Sequence, residues 1–139
     1  MIQTMMKQLL GSIQAGVSTA QVEAAVYGYL DSWRTNDAQA RGEPFADDAV
    51  FEDPVGTAPI VGKAALFEFW KRTESVPIRF HPVLDRLVVC GNEALVQFTL
   101  HIAIEGSSPC AIRILENFKL DNAGKIVHLR AFWDEASIA

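Results

Sequence analysis

After Ser18 the apolar positions recur at helical spacing. Val22, Val26, Tyr29 and Trp33 stand four, three and four residues apart, so they share one face of a helix. Ser18 with Gln21 forms a capping-box pattern at its start. A second, short helix is expected to begin at Asn36-Asp37 and to stop before Pro44, and a third is expected over 62–72, with Ala65, Leu66, Phe69 and Trp70 at its apolar positions. A short strand over 49–53 places Ala49, Phe51 and Asp53 on one side, ends at Pro54 and turns at Gly56. Four longer strands follow. Those over 79–90 and 93–105 flank Gly91-Asn92, a two-residue hairpin signal, and those over 111–120 and 125–133 flank the turn Asp121-Asn122-Ala123-Gly124. Helices first and a strand meander last predict an α+β domain whose sheet curls over the helices. Residues 1–17 are expected to form a helical or frayed extension ahead of a single domain over 18–139.

The alternation within these strands sorts the side chains by face. One face of 93–105 carries Val96, Phe98, Leu100, Ile102 and Ile104, and the other carries Gln97, Thr99, His101, Ala103 and Glu105. One face of 111–120 carries Ile112, Ile114, Glu116, Phe118 and Leu120. Glu116 is therefore in phase with four large apolar residues, where a carboxylate is costly unless paired, hydrogen-bonded or kept neutral. Asp53 shares its face with Phe51, and the last strand aligns Val127, Leu129, Ala131 and Trp133. Tyr29, Asp53 and Glu116 thus point by pattern toward one apolar interior. Each also has a plain structural reading: an inward Glu tied to an Arg or a backbone amide, an Asp ending a strand before Pro, a core Tyr with its hydroxyl satisfied. Their convergence on one cavity favours a site.

Composition narrows the class further. The chain has 139 residues, half of them hydrophobic and 21% charged, which suits one globular domain. A net charge of −5 argues against nucleic acid, and no basic run suggests a membrane surface. The broken apolar stretch Met5, Met6, Leu9, Leu10 is too short and too polar to span a bilayer. Cys90 and Cys110 are expected to be reduced, buried thiols, and the location to be cytoplasmic. His81, His101 and His128 show no metal spacing, with His101 and His128 on outward faces. No phosphate-binding glycine loop or nucleophile elbow is present.

The segment Phe45-Ala-Asp-Asp-Ala-Val-Phe-Glu-Asp-Pro-Val-Gly56 resembles the signature of the ketosteroid isomerases (steroid delta-isomerases), in the nuclear-transport-factor-2-like fold. Residues 122–135 resemble that family's last hairpin, and the similarity runs from about Val22 to Ile138. The resemblance implies a cone-shaped fold, with helices packed on a curved antiparallel or mixed sheet around an apolar pocket. It also implies an isomerase that moves a double bond from β,γ to α,β conjugation with a ketone, without a cofactor or metal, in a homodimer paired sheet to sheet. By the same resemblance Asp53 is the general base, Tyr29 the oxyanion-hole tyrosine, Trp133 an aromatic pocket position, and Phe69, Val96 and Phe98 apolar walls. Phe51, Trp70, Ile114 and Phe118 complete the expected substrate contacts.

Two positions depart from the family pattern. Glu116 stands where the family has an aspartic acid, the neutral carboxylic acid for which ketosteroid isomerases are the established case. Trp70 stands where some members have a tyrosine, and an indole donates but does not accept. Keeping Glu116 neutral at pH 7 requires burial to raise its pKa from about 4.3, at about 4 kcal/mol. Its extra methylene displaces the carboxyl by about 1.5 Å, which bears on alignment. The expected partner is a small apolar carbonyl substrate. The alternatives are a non-catalytic domain that binds a steroid-like or other apolar molecule, and a related cyclase or dehydratase.

Overall fold

A computed structural model describes residues 1–139 of the chain. Helix α1 spans Ile2–Leu10 and buries no residue. Gly16 then donates its backbone N–H to Asn92 Oδ1, and Val17 enters the core. Helix α2, Thr19–Thr35, opens on the expected capping box: Gln21 N–H donates to Ser18 Oγ at 3.1 Å, and Ser18 N–H donates to Gln21 Oε1 at 2.8 Å. Its inward face buries Val22, Ala25, Val26, Tyr29 and Leu30. The helix stops at Asn36, which adopts the left-handed conformation with φ 48. Asn36 also receives the Thr73 hydroxyl at 2.9 Å and donates to the Thr73 carbonyl at 3.0 Å, so it ties the end of α2 to the end of the next long helix. Helix α3, Ala38–Gly42, is capped by Asp37, whose Oδ1 accepts from the N–H groups of Gln39 and Ala40.

Strand β1 runs Phe45–Glu52, four residues earlier than the alternation indicated, and stops one residue short of Asp53. The reason is local. Asp47 and Asp48 interrupt the apolar alternation, and the pairing register shifts between Phe45 and Val50. A two-residue strand β2, Ile60–Val61, pairs antiparallel with β1 and is too short to leave a periodic signal. Gly62, at φ 97, makes the turn into α4, Lys63–Lys71. Strands β3 (Ile78–Cys90), β4 (Glu93–Ile104), β5 (Cys110–Leu120) and β6 (Ile126–Phe132) form the antiparallel meander.

The sheet order is β2-β1-β6-β5-β4-β3, with β1 parallel to β6. The architecture is thus α+β with a curved, unclosed mixed sheet, and the core lies between its concave face and α2 and α4. The phase read for β4 and β5 holds through the middle of both strands, where Val96, Phe98, Ile114, Glu116, Phe118 and Leu120 are buried. Leu100, Ile102 and Ile112 are only half-buried, and Ile104, at the end of β4, is exposed. At β6 the phase needs a correction. The β5–β6 register shifts between Lys119 and Leu120, which turns Ile126 fully inward and leaves Val127 half-buried. Each fully buried large apolar side chain contributes about 1.5–3 kcal/mol to the fold.

The cysteines also need correcting. Neither is bonded, but Cys90 is exposed at the end of β3 and Cys110 is half-buried at the start of β5. Strand ends leave the core, and an apolar residue type does not override that position. No helix is long and apolar enough to cross a membrane.

Candidate active site

Between the helices and the concave sheet lies an apolar cavity of about 290 Å³. α2 supplies Tyr29 and Trp33, and α4 supplies Phe69 and Trp70, followed by Arg72 and Thr73. The sheet supplies Phe80, Phe98, Leu100, Ile114 and Glu116, and Asp53 enters from the turn after β1. The three proton-bearing residues read from the sequence therefore meet in one chamber. A larger surface groove, of about 610 Å³, shares Phe80 with it but holds none of the three. Size is the weaker criterion here, and the chemistry marks the smaller cavity.

Glu116 sits mid-sheet, paired across the ladder with Val96 on β4 and Ala131 on β6. It is 4% exposed, makes no ion pair or hydrogen bond, and leaves Oε2 without a partner. The plain reading, a carboxylate tied to an Arg or an amide, is not what the fold contains. Burial first, and the Asp53 charge second, push its pKa well above the ordinary carboxylate range and favour the neutral acid. Burial also raises the pKa of Asp53, against a hydrogen bond from Trp133 that holds it down. That bond runs from Trp133 Nε1 to Asp53 Oδ1 at 2.7 Å. Trp133 is thus a donor that orients the Asp53 carboxylate, and it lies outside the cavity wall.

Tyr29 is 2% exposed, and its ring is caged edge-on by Trp33, Phe45 and Phe118 and tilted against Trp70. Burial, then the Glu116 and Asp53 carboxylates, raise its pKa well above the ordinary phenol value, with Arg41 opposing. The phenol therefore stays protonated and can donate. Arg41 left no signal in the sequence, since an Arg in a short polar helix reads as surface. Its side chain is fully buried, with the guanidinium 3.5 Å from the Trp33 ring centroid. Its guanidinium donates to Ser32 Oγ, the Ser32 carbonyl and Asn36 Oδ1, and Nη1 has no partner. Burial lowers its pKa to about 10.

Of the expected substrate contacts, Phe69, Trp70, Phe98 and Ile114 line the cavity. Phe51, Val96 and Phe118 do not; they are buried behind the wall and support it. Strand phase gives the side of the sheet but not the depth, which explains the difference. Trp33 and Leu100, read from the pattern only as inward-facing positions, also line the cavity, and Arg72, Thr73 and Phe80 are wall residues that pattern reasoning did not single out. His128 lies off the cavity and contacts Glu52 Oε2 at 2.7 Å, beside Arg130 at 3.1 Å. No three His, Cys, Asp or Glu side chains gather as a metal-binding group.

A model of the SnoaL-like domain matches residues 26–129, three quarters of the chain. The chain belongs to the SnoaL-like domain family. A steroid delta-isomerase of Nocardioides simplex is 30% identical over 116 residues, covering 83% of this chain and 91% of that protein. Solved structures confirm the nuclear-transport-factor-2-like fold of this SnoaL-like domain. The epoxide hydrolase/cyclase-like enzyme SalBIII of salinomycin pyran ring formation superposes with a TM-score of 0.74 at 24% identity, over 86% of this chain and 95% of that one. An LEH-like epoxide hydrolase of M. tuberculosis gives 0.75 at 23%, over 86% of each chain. A computationally designed 17-OHP binder gives 0.75 at 19%, over 86% and 97%.

The raised pKa of Glu116 has a measurable consequence for stability. A carboxyl whose folded pKa exceeds its unfolded pKa contributes stability below the unfolded value and loses it as pH rises through the folded one. Within that window each pH unit costs about 1.4 kcal/mol. Glu116→Gln removes the titration, so urea unfolding at pH 4, 6 and 8 should show the variant gaining steadily on the wild type. A pH-independent difference between the two would mean that Glu116 is not held neutral.

Proposed function

We propose that this protein is a cofactor-independent isomerase that converts a β,γ-unsaturated ketone, steroid-like in size and rigidity, into the conjugated α,β-enone. One observation carries the reading: a carboxylate oriented by an indole faces the same apolar cavity as a buried, unpaired carboxylic acid and a caged phenol. The steroid delta-isomerase relative supports the choice of substrate class.

In this reading Asp53 removes a proton from the carbon between the carbonyl and the double bond. The electron pair moves onto the carbonyl oxygen to give a dienolate, whose oxygen accepts hydrogen bonds from Tyr29 O–H and neutral Glu116 O–H. Protonated Asp53 then returns the proton to the γ carbon, and the carbonyl reforms. Proton and electron pair are conserved, so no co-reactant is needed. The apolar walls exclude water, which would otherwise solvate the carboxylate and weaken it as a base.

The test is incubation with a β,γ-unsaturated ketosteroid while following the absorbance of the conjugated enone. A rise well above buffer is expected. Saturable binding without turnover would instead make the protein a binding domain, and turnover of an epoxide or a cyclisation precursor alone would make it a cyclase or hydrolase. We also infer a homodimer joined through the outer sheet face, where Leu95, Leu115 and Phe132 are 53%, 46% and 41% exposed. Leu115 pairs directly with Phe132 there. Solution mass at micromolar concentration should be twice 15.3 kDa, and a monomer mass would remove this inference.

A further inference from the structure

The cavity has a charge gradient that the isomerase reading does not use. Its floor is buried: Tyr29, Trp70, Phe98 and Glu116 are each at most 4% exposed. Its rim is open. Phe69 is 37% exposed, and Arg72, three residues further along and on the same helical face, is exposed as well. Arg72 is the only cation of the cavity wall.

Its guanidinium is free of partners. The ion pairs of the structure are Arg34–Asp31, Lys71–Glu74, His128–Glu52 and Arg130–Glu52, and no side-chain hydrogen bond or ring contact engages Arg72. Glu68, one helical turn earlier, does not come within ion-pair distance of it. The neighbouring Thr73 hydroxyl is already committed to Asn36 and to the Trp70 carbonyl. Arg72 is thus the uncommitted donor of this stretch of rim. Beyond Phe80 the surface continues into the larger groove, lined by Arg79, His81, His101 and by Arg34, which is already paired with Asp31. Arg72 thus places the one positive charge of the cavity wall at its mouth, above a floor that carries two carboxyl groups.

We propose that Arg72 is a specificity-determining residue that receives a carboxylate at the far end of an otherwise apolar ketone. This rests on the isomerase reading for the position of the carbonyl, which lies inward at Tyr29 and Glu116. Only one orientation then suits such a ligand. A carboxylate on the floor would face Asp53 in an apolar medium, whereas at the rim it remains hydrated and meets a planar guanidinium that can bind it with two hydrogen bonds. The same contact favours an acid over its ester, whereas an apolar pocket alone would favour the ester.

The probes are a conjugated ketosteroid with a carboxylate on its D ring and the methyl ester of the same compound, each titrated against the full chain by tryptophan fluorescence. The acid should bind about fivefold more tightly than the ester, the upper range for a rim ion pair. The preference should fall to about one in Arg72→Gln, persist in part in Arg72→Lys, and vanish at about 1 M salt, where the screening length is about 3 Å. Equal affinity of acid and ester in the wild type would overturn the proposal, and so would a preference that survives Arg72→Gln or saturable binding of neither probe. Turnover of a neutral ketosteroid separates this from the isomerase reading. Turnover without acid preference removes the role of Arg72 alone, and acid preference without turnover keeps the anion site and removes the isomerase.

Discussion

Asp53→Asn is expected to lower turnover of a β,γ-unsaturated ketone by about 10²- to 10⁴-fold, the usual contribution of a positioned general base. The substitution isolates proton transfer from architecture. An asparagine amide has nearly the carboxylate's shape and keeps an oxygen to accept the Trp133 Nε1–H bond, so the turn after β1 is retained. What it loses is the ability to take a proton at any useful pH. Affinity for a conjugated product should hold or tighten, because no charge then faces the apolar ring system. Removing the charge has a second effect, since Asp53 is the second cause of the raised pKa of Glu116. Part of the pH dependence of stability that Glu116 produces should therefore shrink in Asp53→Asn. Folded variant with unchanged turnover would dismiss Asp53 as the base.

Tyr29→Phe should cost about 10²- to 10³-fold in turnover, the worth of one oxyanion donor in a water-excluded site. Stability should barely change, which is the informative part. The ring packs against Trp33, Phe45, Trp70 and Phe118, and phenylalanine preserves all four contacts. Glu116→Gln is its companion: an amide still donates, so the loss should be smaller than in Tyr29→Phe. The two together test whether both groups serve one oxygen, because donors sharing an oxyanion give a double variant that departs from additivity. Additive losses, or a Tyr29→Phe variant that turns over normally, would require another account of this cavity.

Much of this site was legible before any fold was known, and the reason is periodicity. Once Val96, Phe98, Ile114 and Phe118 are recognised as one inward set, a period of two puts Glu116 among them. A period near 3.6 likewise joins Tyr29 to Val22, Val26 and Trp33 on the inward face of α2. Those rules act within one element, where geometry follows from backbone spacing alone. They fail where the backbone departs from its period. The shifted register at Lys119 and Leu120 turned Ile126 inward, and Asp47-Asp48 concealed the first half of β1.

Local spacing is enough to say which faces are apolar, that three proton-bearing groups turn inward, and that helices precede a meander. Which of these groups meet depends on how the elements dock. Trp133 and Asp53 are 80 residues apart and become partners because β1 lies parallel beside β6, a pairing that no local pattern announces. Arg41 lies under Trp33 because α3 folds back on the end of α2, and Arg72 reaches the rim because Thr73 is fastened to Asn36. Depth was decided there as well: Phe51, Val96 and Phe118 stand on the inward side yet behind the wall. Periodicity records the side of an element on which a residue lies, whereas partners and depth depend on how elements dock, and docking is fixed by contacts distant in the chain.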